Sequence, residues 1–162
     1  MKSANGGVLC YVSNGGYIDG NTADGLRKTL YAEFHEIYVY NLRGNARSSG
    51  EQRRKESGNV FGEGSKTTVA VLLLVKRPGD AEQTRLHYKD IGDYLDRKTK
   101  LDLVDQATLR SLDWQEITPN AEGDWINQRD DHFPTFQPLS MKDGPDAIFV
   151  SNGRGLETGR DA

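Results

Sequence analysis

Thr67-Thr68-Val69-Ala70-Val71-Leu72-Leu73-Leu74-Val75-Lys76 is the most apolar run in the chain, and its reading decides the fold. A strand exposed on one face alternates apolar and polar residues; this one is apolar on both faces and is expected to be covered on both. Immediately upstream lies a Gly/Arg-rich loop, from Asn41-Leu42-Arg43-Gly44-Asn45-Ala46-Arg47 to Gly58, which delivers Asn59-Val60-Phe61-Gly62 to the mouth of the strand.

Working back from this stretch, Val8–Ser13 is a β-branched and aromatic run between Gly6-Gly7 and Gly15-Gly16, and it reads as a buried strand. Thr22 is placed to cap a helix running to Phe34, with Leu26, Leu30 and Phe34 on its inner face. Glu36–Leu42 alternates Ile37 and Val39 against Tyr38 and Tyr40, giving a second strand. Strand, helix, strand, long loop, strand predicts an α/β fold with a right-handed crossover and an antiparallel final strand. Beyond Pro78-Gly79, Thr84–Tyr88 reads as an edge strand and Arg97–Leu112 as an amphipathic helix through Leu101, Val104 and Leu112. From Asp113 onward the chain reads as mostly irregular, with four of the five prolines at Pro119, Pro134, Pro138 and Pro145. The expected division is a sheet in residues 1–78 and a largely irregular or helical extension in 79–162.

The 162 residues suffice for one sizeable core, and 18 glycines imply long loops. A formal net charge of -3 argues against a general polyanion binder. That sum conceals an asymmetry, because residues 43–76 carry seven basic against three acidic side chains while 77–162 carry eleven against seventeen. Any polyanion should therefore meet the central loop. The lone Cys10 lies in an apolar run, reads as a small buried residue and points to a reducing cytoplasm. No apolar run approaches the twenty residues of a membrane span, and no signal-peptide pattern opens the chain.

Several catalytic classes lose their support. Gly62-Glu63-Gly64-Ser65-Lys66-Thr67 lacks Walker spacing and precedes a strand rather than a helix, and Ser13-Asn14-Gly15-Gly16 contains no dinucleotide fingerprint. His35, His87 and His132 have no ligand at metal-binding spacing, and no serine sits in a nucleophile elbow. Asp124 and the pair Asp130-Asp131 are candidate acids whose simplest reading is a solvated loop. The basic loop remains: Arg43, Arg47, Arg53, Arg54, Lys55 and Lys66 offer charge for phosphates, and Phe61 offers a flat face for a base. The alternative is a solvated loop with Phe61 folded back as a hydrophobic plug.

The order of these segments resembles the later half of a gamma-class adenine-N6 DNA methyltransferase domain. The resemblance is carried by Gly7-Val8-Leu9-Cys10-Tyr11-Val12-Ser13-Asn14, Ala23-Asp24-Gly25-Leu26-Arg27-Lys28-Thr29-Leu30, Ile37-Tyr38-Val39-Tyr40, and Asn59-Val60-Phe61 leading into Thr67–Lys76. These match the family's motifs VI to VIII in sequence order. Asn41–Arg47 with Arg53-Arg54-Lys55 is more particular, and is similar to single-polypeptide restriction–modification enzymes that join a helicase-like motor to the methyltransferase. Weaker likeness continues through Ile91–Leu95, Trp114–Asn120, Gly123–Arg129 and Gly155–Asp161, toward where such proteins enter a target-recognition region.

The resemblance implies a partial Rossmann-like class I methyltransferase sheet, with Phe61 stacking the flipped target adenine. It implies DNA and the remainder of the methyltransferase polypeptide, with or without its motor, as partners. It also implies S-adenosylmethionine as cofactor of the intact enzyme. The family's donor-binding loop and Asn-Pro-Pro-Tyr motif do not occur in this sequence, so the expectation is a fragment that is inactive alone and binds no cofactor by itself. A non-catalytic interaction module on the same scaffold is the competing expectation. A half-sheet would expose an edge and tend to self-associate through it.

Overall fold

In the computed structural model the apolar run forms β3 (Val69–Lys76), flanked on both sides by antiparallel neighbours. On one side is β1 (Gly7–Asn14); on the other is β2 (Glu36–Arg43), reached from β1 through α1 (Asp24–Glu33). β1 and β2 are therefore parallel to each other with β3 inserted between them. The sheet continues to β4 (Arg85–Asp90), parallel to β2, and ends at β5 (Gln115–Ile117), antiparallel to β4. Strand order is β1-β3-β2-β4-β5. Two further helices, α2 (Gly50–Glu56) and α3 (Arg97–Gln106), complete a mixed α/β fold. The structure describes residues 6–79, 83–129, 132, 135–140 and 145–149. The chain divides into two compact units, residues 1–128 and 129–162. In the second, Ser140 and Phe149 form an isolated parallel bridge.

The strand pleat sends alternate residues to opposite faces, and each face has its own core. Ile37, Val39, Leu72, Leu74, Leu86 and Ile117 pack with Leu30 of α1, Ile18 and Trp125. Tyr40, Leu42, Val69 and Ile91 pack with Val60 on the other face, joined by Leu95 and Val104. Each fully buried aliphatic side chain contributes on the order of 1.5–3 kcal/mol, so these two clusters hold the sheet.

The expected covered β3 and its antiparallel pairing are found. Four expectations are corrected. β1 is not buried: it lies at the sheet edge, and Val8, Leu9, Cys10, Tyr11 and Val12 are all exposed, because neither core cluster extends over its faces. In α1 the inner positions are Arg27 and Leu30, while Leu26 is exposed, and the helix follows Ala23 rather than Thr22. In α3 the buried position is Lys100, Leu101 is exposed, and the helix stops at Gln106. Thr84–Tyr88 is not an edge, since β4 is paired on both sides; the mostly irregular chain expected after residue 113 holds one short strand among the described residues, β5, which pairs with β4. The sheet continues past residue 78 into β4 and β5.

Glu36 pins this sheet where β2 begins. Its buried carboxylate accepts from Arg77 (2.9 Å) and Arg85 and shares a 2.8 Å hydrogen bond with His87, whose ring stacks on Tyr38. Burial works to raise the Glu36 carboxyl, but the bonds from His87 and Arg85 outweigh it and hold the group below the ordinary carboxylate range. His35 accepts from the Arg77 backbone N–H. Both histidines are structural.

Candidate nucleic-acid interface

The long loop is anchored at its start by a β-bulge. Pairing of β2 with β3 shifts register between Asn41 and Arg43, and Arg43 and Gly44 take positive φ of 57° and 98°. Glu56, the last residue of α2, receives the Gly44 N–H at 2.9 Å and the Asn45 N–H at 3.0 Å, closing the loop onto the helix. Beneath it Lys100, wholly buried, donates to the Glu56 carbonyl at 3.0 Å, and desolvation pushes its ammonium below the usual lysine range.

Asn59 is the hub of the second half of the loop. Its side-chain amide donates to the carbonyls of Gly44 (3.0 Å) and Thr67 (2.9 Å) and to Ser65 Oγ (3.3 Å), tying the end of β2 to the approach to β3. Its side-chain oxygen accepts the Phe61 N–H at 2.9 Å, and its carbonyl accepts the Gly62 N–H at 2.9 Å. Gly44 has to be glycine: besides its positive φ, a Cβ there would lie 2.7 Å from Asn59 Nδ2. Removing the amide leaves several partly buried groups without partners. Asn59→Ala is expected to cost about 1–2 kcal/mol in urea unfolding and to speed hydrogen exchange at the Phe61 amide. Unchanged exchange at Phe61 would contradict this role.

Val60 and Phe61 then divide the work of the loop. Val60 is 7% exposed in the core below, whereas Phe61 is 65% exposed. The plug is Val60, and the reading of Phe61 as a folded-back plug is overturned. The Phe61 ring projects from a turn whose backbone N–H groups, at Phe61 and Gly62, are both bonded to Asn59.

The six candidate cations are not equivalent. Arg43 donates to Asp90 at 2.7 Å and lies 2.5 Å from Asp93, which also meets Lys55 at 3.6 Å. Arg54 pairs with Glu51 at 3.1 Å on the surface of α2. Arg53 donates to the Ala46 carbonyl at 3.0 Å and has no carboxylate partner among the described residues. Arg47 and Lys66 are exposed and likewise have no carboxylate partner among them. Two clefts flank the loop. One, of about 580 Å³, is lined by Arg53, Asn59, Gly62, Lys66 and Arg97; the other, of about 410 Å³, by Asn14, Asn41, Arg47, Gln52 and Thr68. Asn45 and Glu56 line both and form the wall between them.

Asp124 is not a solvated acid: it is 6% exposed and bonded to Arg27 at 3.0 Å. Asp130-Asp131 and Gly155–Asp161 lie outside the described residues. Among the described residues no group of His, Cys, Asp and Glu is placed to hold a metal ion, and no helix is long and apolar enough to cross a membrane. Sequence reasoning missed Asn59 as a hub and Arg97 as a cleft residue. Arg97 lies outside the basic segment and reaches the cleft because Gly58 lets the loop touch the start of α3, where a Cβ would come within 2.4 Å of the Arg97 backbone nitrogen.

The fold and its basic, aromatic loop define an α/β protein with a candidate nucleic-acid surface. No protein-family model matches the chain, and no curated protein matches it. Solved structures do. Over 90% of its length it is 48% identical, with a TM-score of 0.81, to a nuclease-deletion mutant of the Type ISP restriction–modification enzyme LlaGI in complex with a DNA substrate mimic. Over 97% it is 40% identical, TM-score 0.85, to LlaBIII, an ATP-dependent Type ISP restriction–modification enzyme bound to DNA. Over 79% it is 34% identical, TM-score 0.72, to DrdV in a DNA complex. The chain is thus similar to a region of Type ISP restriction–modification enzymes, as the sequence resemblance led one to expect. It spans 12%, 11% and 12% of those three chains.

Proposed function

We propose that this chain is the later part of the catalytic sheet of an adenine-N6 DNA methyltransferase within a restriction–modification protein. In that role it presents Phe61 to the target adenine and its unpaired cations to the DNA backbone. The carrying observation is the exposed Phe61 ring on a hydrogen-bonded loop. A phenylalanine left in water forgoes on the order of 1.5–3 kcal/mol of burial, and the Phe61 backbone beneath the exposed ring is hydrogen-bonded to Asn59. Base stacking on an aromatic face regains that surface and is worth about 1–3 kcal/mol per base. Antiparallel β3 between parallel β1 and β2 agrees with the later strands of a class I methyltransferase sheet. The free edge and apolar faces of β1 suit it to pair with the rest of such a sheet, or with a second copy when that partner is missing.

S-adenosylmethionine would supply the methyl group in the intact enzyme. The residues described here do not fit a donor site after β1. Of the glycine N–H groups in that turn, Gly15 donates to the Thr68 carbonyl and Gly16 to Asn14 Oδ1. This chain's own contribution is to hold a base and the backbone beside it.

Photocrosslinking tests the assignment. A single-stranded oligonucleotide carrying one 8-azidoadenine, irradiated with the chain and mapped by peptide mass spectrometry, should give its adduct in the peptide containing Phe61. Adducts confined to another aromatic site, such as Trp114, would overturn it.

A further inference from the structure

We propose that Arg97, with Arg53 and Lys66, forms a phosphodiester site that holds the backbone phosphate next to the base resting on Phe61; this rests on the functional reading above. Arg97 Nε donates to the Val60 carbonyl at 3.0 Å, one residue before Phe61, and lies 3.9 Å from the position a Cβ on Gly62 would occupy. That bond places the guanidinium beside the Phe61–Gly62 turn, and its two terminal nitrogens have no hydrogen-bond partner among the described residues. Lys66 and Arg53 line the same cleft.

The cations lining this cleft differ in their pairing from the other cations near the loop end of β2 and on α2. Arg43, Lys55 and Arg54 are each paired with a carboxylate, whereas Arg53, Lys66 and Arg97 have none within 4.0 Å among the described residues. Glu56, the acid that also lines the cleft, directs its carboxylate at the Gly44 and Asn45 N–H groups and at Gln52. Three cations without counter-ions around one concavity favour an anion. The chain as a whole is acidic, so that attraction is local. A planar guanidinium held by one edge presents the other in the fork that matches two phosphate oxygens. An exposed aromatic beside it makes a nucleic-acid phosphodiester, rather than a carboxylate, the ligand that satisfies both features.

The test uses the whole 162-residue chain and a single-stranded oligonucleotide bearing one 2-aminopurine, with single neutral methylphosphonate linkages placed in turn along it. The wild-type chain should lose roughly fivefold to tenfold in affinity when the neutral linkage adjoins the analogue, and little at distant linkages. Arg97→Gln should bind more weakly, lose that position dependence and lower the salt slope by about 0.7. Arg97→Lys, which keeps the charge, should recover part of the sensitivity, with both variants checked for folding by circular dichroism. Unaltered position dependence in Arg97→Gln, with 2-aminopurine still quenched, would overturn the phosphate site and leave the Phe61 platform standing. Absence of both quenching and any position dependence in the wild type would overturn the two together.

Discussion

Arg27→Leu is expected to destabilise the first unit by about 3–5 kcal/mol, the cost of breaking a buried ion pair from one side. Arg27 is 1% exposed on the inner face of α1. Its Nε donates to the Gly123 carbonyl at 2.8 Å, Nη1 to the carbonyls of Tyr17 (2.9 Å) and Gly20 (2.8 Å), and Nη2 to Asp124 at 3.0 Å. One side chain therefore fastens the turn after β1 and the segment around residue 123 to the helix between them. Leucine fills part of the volume but leaves these acceptors facing apolar surroundings, and a domain of this size has only about 5–15 kcal/mol in reserve. Equilibrium urea unfolding reads the effect. Arg27→Lys keeps the charge yet cannot span so many acceptors, so it should recover only part of the loss. Wild-type stability in Arg27→Leu would show that the network is incidental.

Phe61→Ala is expected to do the opposite: leave the fold intact and remove function. The ring is 65% exposed, so its truncation forgoes little burial, and the backbone bonds from Phe61 and Gly62 to Asn59 do not involve it. Its loss should cost about 1–3 kcal/mol in binding a base, a factor of roughly ten to one hundred. The salt-dependent part of binding, which comes from the cations, should persist. Affinity and stability should therefore separate: binding falls while the urea midpoint stays in place.

These two residues show how far the sequence alone could be read. β3 was legible because ten residues without a polar face have few alternatives. Phe61 was half legible: an aromatic among glycines and arginines left a stacking face and a folded-back plug open, and its exposure came only from the fold. Arg27 and Lys100 were not: each stands beside a leucine, Leu26 or Leu101, which helical periodicity would place inward. In both helices the leucine is exposed and the long cation is buried, satisfied by carbonyls from residues distant in sequence. Apolar β1 read as buried because composition cannot say what covers a strand, only that something suits it. Within the candidate interface, sequence gave charge but not pairing. Asp90 and Asp93, far along the chain, neutralise Arg43 and Lys55, while Arg97 joins a cleft whose other cations lie more than thirty positions upstream.

The most direct test of the central claim, that the Phe61 ring receives a nucleobase, is the fluorescence of a 2-aminopurine oligonucleotide titrated in parallel with the wild-type chain and Phe61→Ala, with binding followed independently by anisotropy. Stacking on the ring should quench the analogue as the wild-type chain binds. With Phe61→Ala, oligonucleotide brought to saturation should keep its fluorescence while the protein stays folded. Equal quenching by the two proteins, or unfolding of Phe61→Ala, would contradict the account.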